Sequence, residues 1–188
     1  MKILYVDTTT PDLVVAVVED NELVNVTAPS VGVHHSELLC GKVDEALDKA
    51  KIDFSDLDAY ACAIGPGSFT GIRIGISTVK GYCTARALPF VSVCCLEAIA
   101  RSQTCGAKGS AVIDAGNGYY FADYKAGIAP TLIAYDDERA KNAGRAGSAV
   151  DYFDGAIDLI RERFSAGSFD KELTPLYVRR SQAEENRK

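Results

Sequence analysis

The stretch Gly65-Pro66-Gly67-Ser68-Phe69-Thr70-Gly71-Ile72-Arg73-Ile74-Gly75 decides the reading of the fold. An apolar run, Ala59 to Ile64, precedes it and is short enough for a buried strand. A proline-free segment from Thr70 to Ala87 follows and reads as a helix. Strand, glycine-rich turn and helix N-terminus therefore succeed one another. Such a turn can hold an anion on unpaired N–H groups, or it can be a tight structural corner.

Upstream, Ile3 to Asp7, Leu13 to Glu19 and Glu22 to Ala28 read as three valine-rich strands of an antiparallel meander, the second turn falling at Asp20-Asn21. From His34 to Ala50 the period changes. Leu39, Val43, Leu47 and Ala50 fall on one face, with Lys42, Asp44, Asp48 and Lys49 elsewhere, which predicts an amphipathic helix. Ser36 is expected to cap it, with Glu37 facing the positive end of the dipole. Downstream, a strand at Phe90 to Val93 and a helix from Leu96 to Ser102 complete the order βββαβαβα. That order predicts a mixed sheet with helices on its faces.

Gly106 to Gly109 reads as a hinge, dividing an N-terminal lobe, 1–105, from a C-terminal lobe, 106–188. The second lobe opens as the first does, with a strand, Ser110 to Asp114, that ends in aspartate. Ala115-Gly116-Asn117-Gly118 joins it to Tyr119 to Lys125 as a hairpin signal, and Thr131 to Tyr135 is a third strand. A helix over Val150 to Phe164 presents Val150, Phe153, Ile157 and Ile160 on one face. The segment from Leu173 to Arg180 reads as an extended tail that docks through Leu176, Tyr177 and Val178, and the last eight residues are expected to fray.

Composition narrows the function. Twenty Lys and Arg against 26 Asp and Glu give a net charge of −6 without a polybasic cluster, so any RNA contact is expected to be shared with a partner. No signal peptide or membrane-spanning run is visible, which predicts a cytoplasmic protein. Cys40, Cys62, Cys83, Cys94, Cys95 and Cys105 sit largely in apolar segments with no C-x-x-C, the pattern of reduced structural thiols. His34 and His35 are adjacent and point about 100° apart at a helix start, a poor metal pair.

The helix from Thr70 is poor by propensity. Each internal glycine costs about 1 kcal/mol against alanine, and Gly71, Gly75 and Gly81 stand among β-branched Ile72, Ile74, Ile76, Thr78 and Val79. Close packing by another backbone at Gly71 and Gly75 would offset that cost. The backbone can belong to a partner or to this lobe's own sheet, and propensity does not choose between them. If it belongs to a partner, Gly75→Leu abolishes pairing and leaves the chain folded. Arg73, a cation in the first turn, calls for a carboxylate or phosphate, with Glu37 or a partner's acid as candidates.

The combination of Val6-Asp7-Thr8-Thr9, His35-Ser36-Glu37-Leu38-Leu39, the glycine motif from Gly65 to Gly75, Lys80-Gly81, Leu96-Glu97-Ala98 and Pro175-Leu176-Tyr177-Val178-Arg179 resembles the TsaB family, formerly called YeaZ. The resemblance implies an α/β, actin-like and Hsp70-like (ASKHA, RNase H-like) fold of two related lobes with mixed sheets. It implies a role in making tRNA N6-threonylcarbamoyladenosine as a non-catalytic subunit that pairs with catalytic TsaD, works with the ATPase TsaE, forms homodimers alone, and meets tRNA only indirectly. The pairing surface in that family is formed by the first two helices, here Leu38, Leu39, Lys42 and Val43 with Arg73, Ile76, Val79, Lys80 and Cys83. The second lobe is short for the family, and Asp114-Ala115-Gly116-Asn117 stands where members commonly show Asp-Ala-Arg-Arg.

In that fold class an aspartate-led loop in each lobe would hold phosphate. The corresponding residues are Asp7, Thr8 and Thr9 with Gly67 and Ser68, and Asp114 with Gly116. The first loop lacks its usual glycine, and Gly144-Arg145-Ala146-Gly147 is the one faint candidate for an adenosine segment. No resident cofactor is expected, and weak nucleotide binding is left open. The alternative readings are an ATP-using phosphotransferase or peptidase-like enzyme of the same fold class, and a homodimeric structural protein.

Overall fold

The computed structural model describes residues 1–20, 22–31, 34–103 and 109–178. Three of the four residues of the expected hinge (106–108), the lobe boundary at 105/106, Asn21 and the charged C-terminus lie outside the described residues.

Strands β1 (Lys2–Asp7), β2 (Leu13–Glu19) and β3 (Leu23–Ala28) form the antiparallel meander. After helix α1 (His35–Ala50), strand β4 (Ala59–Gly65) joins parallel to β1. After helix α2 (Phe69–Arg86), strand β5 (Phe90–Cys94) joins parallel to β4, giving the order β3-β2-β1-β4-β5. Helix α3 (Cys95–Gln103) follows directly. Parallel strands need such crossovers, and the helices then cover the sheet.

Both faces are covered, which is why β2 reads as a nearly unbroken apolar run, Leu13 to Val18, rather than alternating. On one face Leu4, Val6, Val15 and Val17 pack with Leu39, Val43, Leu47, Ile72, Ile76 and Val79 of α1 and α2. On the other, Ile3, Tyr5, Val14, Ala16 and Val18 pack with α3 and with a helix from the far end of the chain, α4 (Phe153–Ser165).

The second sheet repeats the plan. Strands β6 (Ser110–Asp114), β7 (Tyr119–Asp123) and β8 (Ile128–Ile133) form a second meander, and the short β9 (Gly144–Arg145) lies parallel to β6, in the order β8-β7-β6-β9. Pro130 is tolerated because β8 is an edge. Where the first sheet's meander is followed by α1, the second sheet's is followed by a three-residue 3-10 turn, Glu138–Ala140. The β4-to-α2 turn likewise has a counterpart. Ser68 caps α2 by accepting the Gly71 N–H, and Ser148 caps a 3-10 turn, Ala149–Tyr152, that runs into α4.

Three expectations are corrected. The N-cap of α1 is His34 and makes no side-chain cap, while Ser36 lies exposed within the helix. Val150 is 47% exposed, because the chain enters α4 through the 3-10 turn and only from Phe153 does the helical period set which side is buried. The tail is anchored chiefly by Leu173, 1% exposed, and by the Leu176 N–H on the Ile64 carbonyl, with Tyr177 left half in water.

Candidate functional site

Asp7 ends β1 beneath the space between the two sheets, and it is 1% exposed. Its Oδ1 accepts from the Thr9 N–H at 2.8 Å and the Thr9 hydroxyl at 2.7 Å. Its Oδ2 accepts from the Tyr5 hydroxyl at 3.0 Å and the Tyr152 hydroxyl at 2.8 Å. A buried carboxylate without a cation is costly unless its lone pairs are met by donors, and here four donors meet them. Burial, with the charge of Asp7 alongside, pushes the Tyr5 and Tyr152 hydroxyls well up. Both phenols therefore keep the protons they donate. Burial also pushes the thiol of Cys95 up, and its Sγ lies 3.4 Å from the Thr9 hydroxyl.

Above this cluster a cleft of about 370 Å³ is lined in part by Thr9, Gly67, Ser68, Asp114, Gly147 and Tyr152. The structure thus brings together four of the expected phosphate-loop residues, Thr9, Gly67, Ser68 and Asp114, and Gly147 of the adenosine-segment candidate. It does not bring the others. Asp7 is sealed below the floor. Thr8 is 1% exposed and donates its hydroxyl to the Gly71 carbonyl at 2.7 Å. Gly116 instead closes the β6–β7 hairpin, donating its N–H to Asp114 at 2.7 Å. Asp114 is exposed, and that N–H, with the Tyr135 hydroxyl at 2.8 Å, holds its carboxyl below the usual range. Among the described residues, the cleft lining contains no lysine or arginine.

The second candidate region is the outer side of α1 and α2. Between them runs a groove of about 430 Å³, lined by residues that include Leu39, Cys40, Phe69, Arg73 and Ile74. Leu38 is 37% exposed, and Arg73 and Lys80 lie in water. The rest of the expected pairing surface is corrected. Leu39, Val43, Ile76 and Val79 are buried in this chain's own core, and Lys42 and Cys83 are only partly exposed.

The glycines are corrected most clearly. A Cβ on Gly71 would stand 1.9 Å from the Thr8 carbonyl oxygen, and one on Gly75 would stand 2.6 Å from the Thr8 hydroxyl. At Gly71 the group that approaches α2 is the Thr8 backbone after β1, and at Gly75 it is the side chains of Thr8, Cys62 and Val6, all of the same chain. Gly75→Leu would disrupt the fold before it reached any partner. Sequence periodicity could not separate the two because both alternatives require a small residue at the same position.

Arg73 also departs from expectation. Glu37 is engaged by His34 Nδ1 at 3.0 Å, and Arg73 donates its Nε to the Tyr177 hydroxyl at 2.8 Å. His35 turns inward, 3% exposed, with Nε2 on the Asp12 carbonyl at 3.2 Å. Tyr5 and Tyr152, which seal Asp7, were not singled out in the sequence. Their signal would have been a tyrosine two residues before Asp7 on the same strand face, and a second at the start of the last helix.

A family model described as tRNA N6-adenosine threonylcarbamoyltransferase (TsaD) matches residues 26–147. The chain is 33% identical over 129 residues to the tRNA threonylcarbamoyladenosine biosynthesis protein TsaB of Escherichia coli, covering 66% of this chain and 55% of that protein. It is 38% identical over 107 residues to an uncharacterized Mycobacterium tuberculosis protein, covering 55% of this chain and 50% of that one. The tRNA N6-adenosine threonylcarbamoyltransferase of Kosmotoga olearia is 31% identical over 108 residues, 50% of this chain and 33% of its own length. The chain spans about half the length of the first of the curated relatives it matches. Among solved structures, YeaZ from Pseudomonas aeruginosa superposes with a TM-score of 0.75 at 22% identity, covering 94% of this chain and 100% of that one. The two mixed sheets, each beginning with an aspartate-ended strand, fit an ASKHA-type fold.

Proposed function

The chain belongs to the TsaD family and is TsaB/YeaZ-like within it, and from that premise we propose that it is the non-catalytic partner of a TsaD-like subunit in forming tRNA N6-threonylcarbamoyladenosine. The observation that carries the non-catalytic reading is the sealing of Asp7. A carboxylate that holds a metal ion or activates water needs a lone pair facing the substrate, and all of this one's bonding is directed to Tyr5, Thr9 and Tyr152. Among the described residues, the cleft above it offers no cation to a phosphate group, and no cofactor is assigned to it.

The binding role falls to the exposed side of α1 and α2, through Leu38, Arg73 and Lys80 around the groove rather than through the buried glycine face. The same surface serves a homodimer when the partner is absent. A TsaE-like ATPase joins through the complex, and the net charge of −6 fits indirect contact with tRNA in the cytoplasm.

Analytical ultracentrifugation of the purified chain with its cognate TsaD-like protein, with and without nucleotide, tests the pairing. A heterodimer is expected, and its absence under both conditions rules the reading out. An ATP turnover assay on the isolated chain separates this role from that of a phosphotransferase. Hydrolysis that disappears in Asp7→Ala would establish an enzyme instead.

A further inference from the structure

Phe69, Arg73 and Tyr177 form one exposed unit beside the α1/α2 groove. The Phe69 and Tyr177 rings stack with centroids 5.4 Å apart and planes at 29°. The Arg73 guanidinium carbon lies 3.8 Å from the Phe69 centroid and 5.8 Å from that of Tyr177, and Nε is fixed on the Tyr177 hydroxyl. Phe69 is 44% and Tyr177 45% exposed. Ordering two large rings and an arginine at a surface costs side-chain entropy. The tail that brings Tyr177 here is itself held by Leu173 and by the Leu176 N–H.

Arg73 makes no ion pair among the described residues and stands at the fifth residue of α2, one turn in from the end where the dipole opposes a cation. A guanidinium carries five N–H donors in a planar fork, and the Nε bond to Tyr177 fixes its plane while engaging one of them. The ring beneath it lowers the local exposure to water, which strengthens a charge-assisted bond. Glu37 and Glu45 of this chain's own α1 are already engaged by His34 and by Lys42 and Lys49, whereas Asp44 and Asp48 stand exposed without an ion pair among the described residues, so a second copy that took up the fork instead would show as Arg73-dependent self-association of the isolated chain.

Resting on the partner reading above, we infer that the Phe69–Arg73–Tyr177 unit receives a carboxylate side chain of the TsaD-like subunit, with Tyr177 as the positioning residue that sets the Arg73 plane. The tail motif then has a role at the pairing surface rather than only in closing the fold. Arg73→Lys keeps the charge but loses the plane and the Nε bond.

The test measures affinity for the cognate TsaD-like protein at two ionic strengths. Tyr177→Ala and Arg73→Lys are expected to weaken binding about tenfold, and Tyr177→Phe about threefold, at unchanged melting temperature. Arg73→Gln flattens the salt dependence. In the isolated chain, the Arg73 Nε–H NMR signal is expected to be protected from exchange and to lose that protection in Tyr177→Phe. If the unmodified chain binds and the variants bind equally well, this inference is wrong while the pairing reading stands. If the unmodified chain does not bind, both fall. An unchanged Nε–H signal overturns the positioning role by itself, and Arg73-dependent binding to tRNA alone would assign the fork to phosphate instead.

Discussion

Asp7 and Asp114 occupy equivalent places in the two sheets. Each closes a strand that pairs antiparallel with its successor and parallel with a later one. Their surroundings are opposite. Asp7 is shut in by four donors, whereas Asp114 stands in water on a hairpin with two. The four residues at each strand end do not encode this difference. What covers the first aspartate comes from Tyr5, two residues upstream, and Tyr152, far along the chain. A repeated fold can therefore keep both aspartates while sealing one of them beneath its neighbours.

The contrast is broken most severely at Gly71. Gly71→Ala drives a methyl group into the Thr8 carbonyl, and a loss of about 3 kcal/mol in urea unfolding is expected, since the obstruction is backbone. A loss below about 1 kcal/mol would mean that the β1–β2 loop yields readily. Tyr152→Phe comes next. It strips one of the two donors from Asp7 Oδ2 and should lower stability by about 1–3 kcal/mol, read in the same way. If it proves neutral, Asp7 is no more constrained than Asp114.

The smallest effect sharpens the comparison from the other side. The folded-state value of Asp114 is depressed, so its contribution is present above the unfolded value and is lost as pH falls through the folded one. Tyr135→Phe removes one cause and should move the Asp114 midpoint in an NMR titration upward, toward the ordinary carboxylate value, with the melting temperature near neutral pH scarcely changed. An unmoved midpoint would leave the Gly116 N–H as the sole cause.

Much of the molecule was legible in the sequence. The valine runs, the period of α1 and the Asn117-Gly118 hairpin are local signals, and the strands and helices they predict are present. Facing was less legible. Gly71, Gly75, Leu39 and Val43 read equally well as inner or outer until Thr8 and the sheet are placed against them. The Ser36 cap failed because the helix begins two residues earlier than that cap requires, at His35 rather than Glu37. Val150 failed because a 3-10 turn shifted the phase of the helix behind it. The last donor to Asp7, Tyr152, and the hydroxyl that fixes Arg73, from Tyr177, lie 145 and 104 residues away, beyond the reach of any local window.

The return of α4 onto the first sheet bears on how the molecule is made. When α3 leaves the ribosome, the sheet face bearing Tyr5, Val14, Ala16 and Val18 still lacks Ile157 and Ile160. At about 5–20 residues per second, translation leaves that face open for seconds. The N-terminal half therefore passes through synthesis with an uncovered apolar surface, and completion of its core waits on a helix encoded far downstream.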